Sequence, residues 1–165
     1  MYQRGHHGVS LLVFAPIAHG LVEAGRPVLA FVVGTTMLGL ATLPDVDQNL
    51  PVPHRGPTHS LLFAALVGGG VAGVGRLFEP ALPGTLWLGL GPTAFGFALG
   101  ALSVLAHLLG DTLTPMGVDY LWPIDSTVSL GLVTAGNAAA NYGLLALGVM
   151  ATAAAVYTAL PGVAG

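Results

Sequence analysis

Residues 27–60 read PVLAFVVGTTMLGLATLPDVDQNLPVPHRGPTHS. The first half, residues 27–43, carries no charge and is long enough for a membrane helix, which needs about 17 to 25 apolar residues. Pro27 suits a first helical position, where the missing N–H would have had no partner. The second half, residues 43–60, collects two aspartates, two histidines, an arginine and four prolines. A charge-free span that breaks into a dense polar loop sets the pattern for the whole chain.

The composition of the 165 residues agrees. Hydrophobic residues make up 54% and charged residues 7%, against about 25% charged in an ordinary soluble domain. Mean hydropathy is +0.82. Four arginines, seven acids and no lysine do not suffice for a water-soluble surface, so lipid is the solvent for most of the chain. A net charge of −3 offers no basic patch for a phosphate backbone and excludes a nucleic-acid partner. Cysteine is absent, which removes disulfides, thiolate nucleophiles and thiolate metal sites. Any metal must be held by imidazole, carboxylate or water.

Apolar stretches at residues 8–24, 27–43, 58–78 and 86–110 each match a membrane span in length. The first is interrupted by Pro16 and His19, and Thr58 is placed to cap the third. The last apolar run, 127–160, is too long for one straight span. It reads as a membrane helix near 141–160 preceded by a re-entrant or interfacial piece. The first stretch is a helix rather than a signal peptide, because no small-x-small cleavage site follows it. The expected fold class is all-α: a polytopic bundle of about five transmembrane helices forming one domain over 1–165. Gly69 and Gly73, and Gly96 and Gly100, are four residues apart, a spacing that lets helix backbones approach closely in lipid.

Helix count then decides where the polar residues meet. Three segments hold most of them: 4–8 (RGHHG), 43–60, and 107–125 (HLLGDTLTPMGVDYLWPID). Two crossings separate the first from the second, and two more separate the second from the third. All three therefore fall on one membrane face, with five of the six histidines and all five aspartates. Arg4 and Arg55 on that face balance Arg26 and Arg76 on the other, so arginine counting favours neither face as cytoplasmic.

Intramembrane and membrane-edge ionisable residues mark functional sites, and imidazole with carboxylate suits zinc, manganese and similar divalent ions. Asp45 and Asp47 are two apart after Pro44, where both carboxylates can bend toward one centre. His54 and His59 bracket a Gly-Pro turn. His107 and Asp111, four apart, share one face of the fourth helix. Tyr120 and Trp122 read as interface anchors.

These motifs, PDVDxxxPxxHRGPTHS followed by HLLGDxLTPxGVxxLWPI, resemble the YdjM-type family of membrane-bound, metal-dependent hydrolases, also described as LexA-binding and inner-membrane-associated. The family pattern is an N-terminal histidine near a glycine, then PD-x-D, HRG-x-THS and H-x3-D-x2-TP-x-G. All four parts occur here in order between Arg4 and Pro123. His6 matches the first histidine, with His7 competing for the place. Asp45 and Asp47 match the acids, and His54, Arg55, Thr58 and His59 match the second box. His107, Asp111, Thr114, Pro115 and Gly117 match the last. The resemblance implies hydrolysis without naming a substrate.

The expected function is metal-dependent hydrolysis at the membrane surface, on a phosphoester of a lipid or lipid-linked substrate. His6, Asp45, Asp47, His54, His59, His107 and Asp111 are the expected ligands of a divalent metal, zinc or manganese. Asp47 or Asp111 is the expected general base, and Arg55 is expected to hold an anionic oxygen with its planar fork. The expected partners are the bilayer and a membrane-associated small-molecule or lipid substrate, in the plasma or inner membrane. A small metal-binding transporter and a non-catalytic membrane scaffold are the alternatives. Transporters, however, usually bind near the midplane, and a scaffold leaves the one-sided polar cluster unexplained.

Overall fold

Residues 1–49, 51, 53–82 and 84–163 are described by a computed structural model. Among them five α-helices follow one another: α1 (Gln3–Glu23), α2 (Pro27–Leu40), α3 (Leu61–Phe78), α4 (Pro92–Thr112) and α5 (Ala138–Thr158). Two short 3-10 turns, Pro44–Asn49 and Pro57–His59, lie between α2 and α3. The described residues contain no β-strand, only the isolated bridges Trp87–Leu90 and Val118–Val128. All five helices, α2 together with the turn that continues it, are long and apolar enough to cross a bilayer. The chain forms the polytopic all-α bundle expected of it.

The helix boundaries differ from the apolar stretches in instructive ways. Helix α1 starts at Gln3, five residues before its apolar run, so Arg4, His6 and His7 ride on the helix instead of preceding it. Its first turn is tied down from outside: the Tyr2 N–H donates to Asn141 Oδ1 at 3.1 Å. Helix α3 is capped by Ser60, whose hydroxyl accepts from Phe63 N at 3.2 Å. Thr58, the expected cap, instead turns its hydroxyl to Asp47. Helix α4 begins only at Pro92, the favoured first-turn residue. The six residues before it are occupied by a tight turn through Leu88 and Gly89, both with positive φ. Helix α5 starts at Ala138, where Asn137 accepts from Ala140 N at 3.0 Å. The segment before it has no helix and exposes Leu130 and Leu132.

Helices α1 and α4 are buried along much of their length, whereas α3 and α5 bury only two residues each. The outer faces show Leu66, Leu77, Leu147 and Met150 to their surroundings, as lipid-facing residues must. Phe14, Leu21, Val33, Met37 and Phe95 form the main core. A second cluster of Ala64, Val104, Leu108 and Val118 packs near the start of α3, just after His59, and the end of α4 that carries His107. One expected glycine pair does its work. A Cβ on Gly96 would lie 2.7 Å from the Val71 carbonyl oxygen and one on Gly100 2.8 Å from that of Val67, so α3 and α4 touch backbone to backbone. Gly69 and Gly73 face open space. The α1–α5 approach uses Gly8 and Gly148 instead, each abutting the other helix's backbone.

Candidate metal centre

With five helices in place, the N-terminal turn of α1, both 3-10 turns and the C-terminal turn of α4 meet at one end of the bundle. His6, Asp47, His59, His107 and Asp111 are each at most 1% exposed there. Asp45 is about one-quarter exposed, at 28%, and His54 is partly exposed.

The atoms at the centre are the Nε2 atoms of His59 and His107, 3.2 Å apart. Asp111 Oδ2 lies 3.5 Å from each, and Asp45 Oδ1 lies 3.9 Å from each. His6 stacks on His107 with centroids 3.7 Å apart and planes 8° from parallel, and its Nε2 is 3.5 Å from Asp111 Oδ1. Two groups have ligand atoms close enough to share a cation: His6, His107 and Asp111, and Asp45, His54 and His59. The His59–His107 contact joins them.

Each central imidazole has its tautomer set from behind. His107 Nδ1 donates to the Ala41 carbonyl at 2.7 Å. The Thr58 hydroxyl donates its one proton to Asp47 Oδ2 at 3.0 Å, so its oxygen accepts from His59 Nδ1 at 3.1 Å. With both Nδ1 atoms protonated, two bare Nε2 lone pairs and a carboxylate oxygen face one another in a buried space. Acceptors so placed repel unless a cation lies among them, and fixing the far nitrogen is how proteins orient metal-binding histidines. The donor set therefore fits a divalent ion.

Asp47 lies in neither group. Its Oδ1 accepts from His54 Nδ1 at 2.9 Å, and its Oδ2 accepts from Arg55 N–H at 2.9 Å and from Thr58. It stands behind His59, with its Oδ2 3.2 Å from Nδ1. Arg55 is buried and turned inward. Nη2 donates to Asp111 Oδ1 at 2.5 Å, and Nη1 donates to Thr114 Oγ1 at 3.0 Å and to the Gly117 carbonyl at 2.8 Å. Its φ of +62° costs of order 1–3 kcal/mol in a non-glycine residue, held by the bond from its own N–H to Asp47. Gly117, φ +67°, closes the Thr114–Gly117 turn, where a Cβ would lie 2.6 Å from the Val128 carbonyl oxygen. The Met1 amino group also contacts Asp111.

The structure thus brings together six of the seven expected ligands and sets Asp47 behind them. His6 belongs to one of the two groups, whereas His7 is only half-buried and belongs to neither. His19 sits at the far end of the bundle, where Nδ1 donates to the Ala155 carbonyl at 2.9 Å. Of the interface aromatics, Trp122 is exposed, while the Tyr120 hydroxyl pairs with Thr112 at 2.7 Å. Gly110 carries no signal in the sequence, yet its missing side chain makes room for His6; a Cβ there would lie 2.9 Å from Nδ1. Asn141, outside every motif, accepts from Tyr2 N and donates to the carbonyls of Ala135 and Asn137. An amide inside an apolar run was the available signal, since such a group must find partners in lipid.

A cavity of about 290 Å³ opens beside the centre, lined by Tyr2, Gln3, His6, Thr42, Asp45 and Gln48 among others. No curated protein and no solved structure matches the chain. The model of one family does match, over residues 1–164 and so over the helices, the polar loops and the buried histidine–aspartate cluster together: the chain belongs to the YdjM inner membrane protein family.

Proposed function

We propose that this multi-pass membrane protein is a metal-dependent hydrolase acting on a phosphoester of a lipid or lipid-linked substrate at the membrane surface. The convergence of His59 Nε2, His107 Nε2 and Asp111 Oδ2 beside a polar cavity carries the reading. Their separations of 3.2, 3.5 and 3.5 Å match the edges of about 3.3–3.6 Å expected when ligands surround zinc tetrahedrally at about 2.0–2.2 Å. Three protein ligands with one side open is the arrangement of catalytic rather than structural zinc; manganese is the second candidate. A bound divalent ion would supply Lewis acidity and lower the pKa of a water from 15.7 to about 7.

The chain's own residues divide the remaining work. Arg55 holds Asp111 Oδ1, leaving Oδ2 toward the histidines. Asp47 orients His59 through Thr58. The Asp47 oxygens accept three hydrogen bonds and Asp111 is engaged by Arg55, whereas Asp45, whose Oδ1 accepts from Gln48 Nε2 at 2.8 Å, lines the cavity. Asp45 would take a proton from the attacking water as its oxygen bonds to phosphorus and the P–O bond to the alcohol breaks, and that proton would pass to the departing alkoxide. His6 walls the cavity over His107.

The test is metal content of the detergent-purified protein by inductively coupled plasma mass spectrometry, beside the His59→Ala variant, followed by turnover of lipid phosphoesters. About one equivalent of zinc or manganese is expected, as in a three-ligand catalytic site, lost together with turnover in the variant. Protein that stays metal-free after reconstitution with divalent ions would refute the reading.

A further inference from the structure

Residues 113–137 join α4 to α5 on the membrane face that carries the metal centre, and they form no helix. Along this segment Leu121, Ile124, Leu130 and Leu132 are 52–69% exposed. Large apolar side chains gathered at one surface mark a contact with something other than water.

The underside of the segment is fixed. Val118 and Val128 exchange both backbone hydrogen bonds, at 3.0 and 2.9 Å. The N–H groups of Leu130 and Val133 donate to the Thr112 and Leu113 carbonyls at 2.8 and 3.2 Å, and Ser129 Oγ donates to the Thr114 carbonyl at 2.7 Å. The Tyr120 carbonyl accepts from Leu61 N at 2.9 Å, and the Gly117 carbonyl accepts from Arg55 at 2.8 Å. These bonds hold the segment at the level where α4 ends and α3 begins, so its apolar side chains do not rise away from the membrane. Nor does it sink into hydrocarbon, where lipid-exposed irregular backbone is excluded and where Asp119 and Asp125 would be costly. The layer that remains is the headgroup boundary, in which tryptophan is enriched, and Trp122 is exposed on the same stretch.

We infer that residues 121–132 form an apron seated in the lipid headgroup boundary, and that what covers it is the bilayer its neighbouring helices span. The spans on either side expose Leu109 and Tyr142 near this end, so the lipid-facing surface runs on into the apron. The segment carries no arginine, lysine or histidine; its seating is apolar and needs no anionic lipid. Asp111 and Arg55 belong to the elements that hold the apron, which sets the metal centre at headgroup depth, beside the phosphoesters of lipids still in the bilayer. The seating does not depend on a bound metal, so its failure and that of the metal-dependent reading are told apart by different measurements.

Trp87 and Trp122 are the two tryptophans, and Trp87→Phe leaves Trp122 as the sole reporter. The variant is reconstituted in phosphatidylcholine vesicles brominated either near the carbonyl end or near the terminus of the acyl chain. Quenching should be at least about twofold stronger with bromine near the carbonyl end, as for side chains about 5–10 Å into the headgroup boundary. Acrylamide in the water should quench weakly, at low and high salt alike. Acrylamide quenching stronger than that of either lipid would put the segment in water and overturn the inference. Strongest quenching from the chain terminus would make it a deep re-entrant loop, and quenching by neither would put another protein surface, a second copy included, over it; both outcomes overturn it. Because Trp87 packs against Gly20, a second reporter leaves it in place. The chain has no cysteine, so Ile124→Cys takes a single nitroxide label. That label should collide more often with oxygen, which concentrates in lipid, than with a water-soluble nickel chelate, and the reverse order would overturn the inference.

Discussion

Asp47 separates two readings of the centre, because it is a ligand by motif and a support by geometry. Its carboxylate accepts from His54 Nδ1, Arg55 N–H and the Thr58 hydroxyl, and stands 3.2 Å from His59 Nδ1. Asp47→Asn can keep its oxygen at the Oδ2 position, toward Arg55 and Thr58. The amide then faces His54, which is partly exposed and free to change tautomer. What the variant loses is the negative charge behind His59. Removing such an outer partner typically lowers metal affinity 10–100-fold, or about 1.4–2.7 kcal/mol. Asp47→Ala does more: it strands the buried Arg55 N–H and Thr58 hydroxyl, at about 1–3 kcal/mol each. The assay is competition for zinc against a chelator of known affinity in detergent, with thermal unfolding followed alongside. Asp47→Asn should bind zinc one to two decades more weakly at near-normal stability, and Asp47→Ala should also melt earlier. Zinc binding abolished in Asp47→Asn as fully as in His59→Ala would make Asp47 a direct ligand and refute the reasoning. Unchanged affinity would refute it equally.

Four further outcomes test the surroundings. His19→Ala should leave zinc affinity unchanged and lose about 0.5–1.5 kcal/mol of stability with the bond to Ala155, as read by metal competition and thermal unfolding. Gly110→Ala places a Cβ 2.9 Å from His6 Nδ1 and should destabilise the protein by about 1–3 kcal/mol through overpacking. Gly69→Ala, which meets open space, should be neutral or stabilising by up to about 1 kcal/mol in the same melt. Asn141→Ala removes an acceptor for Tyr2 N and a donor to two carbonyls; a loss of about 1–3 kcal/mol is expected, measured as a lower unfolding midpoint.

The sequence by itself determined the solvent, the helix count and the face on which the polar residues gather. Lipid penalises every unpaired charge, so in a chain with 7% charged residues the position of each polar group is informative. Counting crossings between them is then enough to put residues 4–8, 43–60 and 107–125 together. Residue types and the i, i+4 spacing of His107 and Asp111 likewise pointed to a metal. Helix starts were less legible. Polar residues on α1 cost little beside buried partners, which moved its start to Gln3, and the turn before Pro92 is as apolar as the helix it precedes.

Only the tertiary structure decided where each of these side chains lies. Asp45 and Asp47 are alike in sequence, but a 3-10 turn sends one toward the histidines and the other behind them. His6 and His7 are neighbours, and helical geometry about 100° apart per residue buries the first against Gly110 while leaving the second half-buried. Arg55 could have faced a substrate; instead, contacts to Asp111, Thr114 and Gly117, 56 to 62 residues away, draw it inward. Those assignments depend on distances between elements far apart in the chain. No local pattern carries such distances, and they exist only once α1, α4 and the two 3-10 turns have packed together.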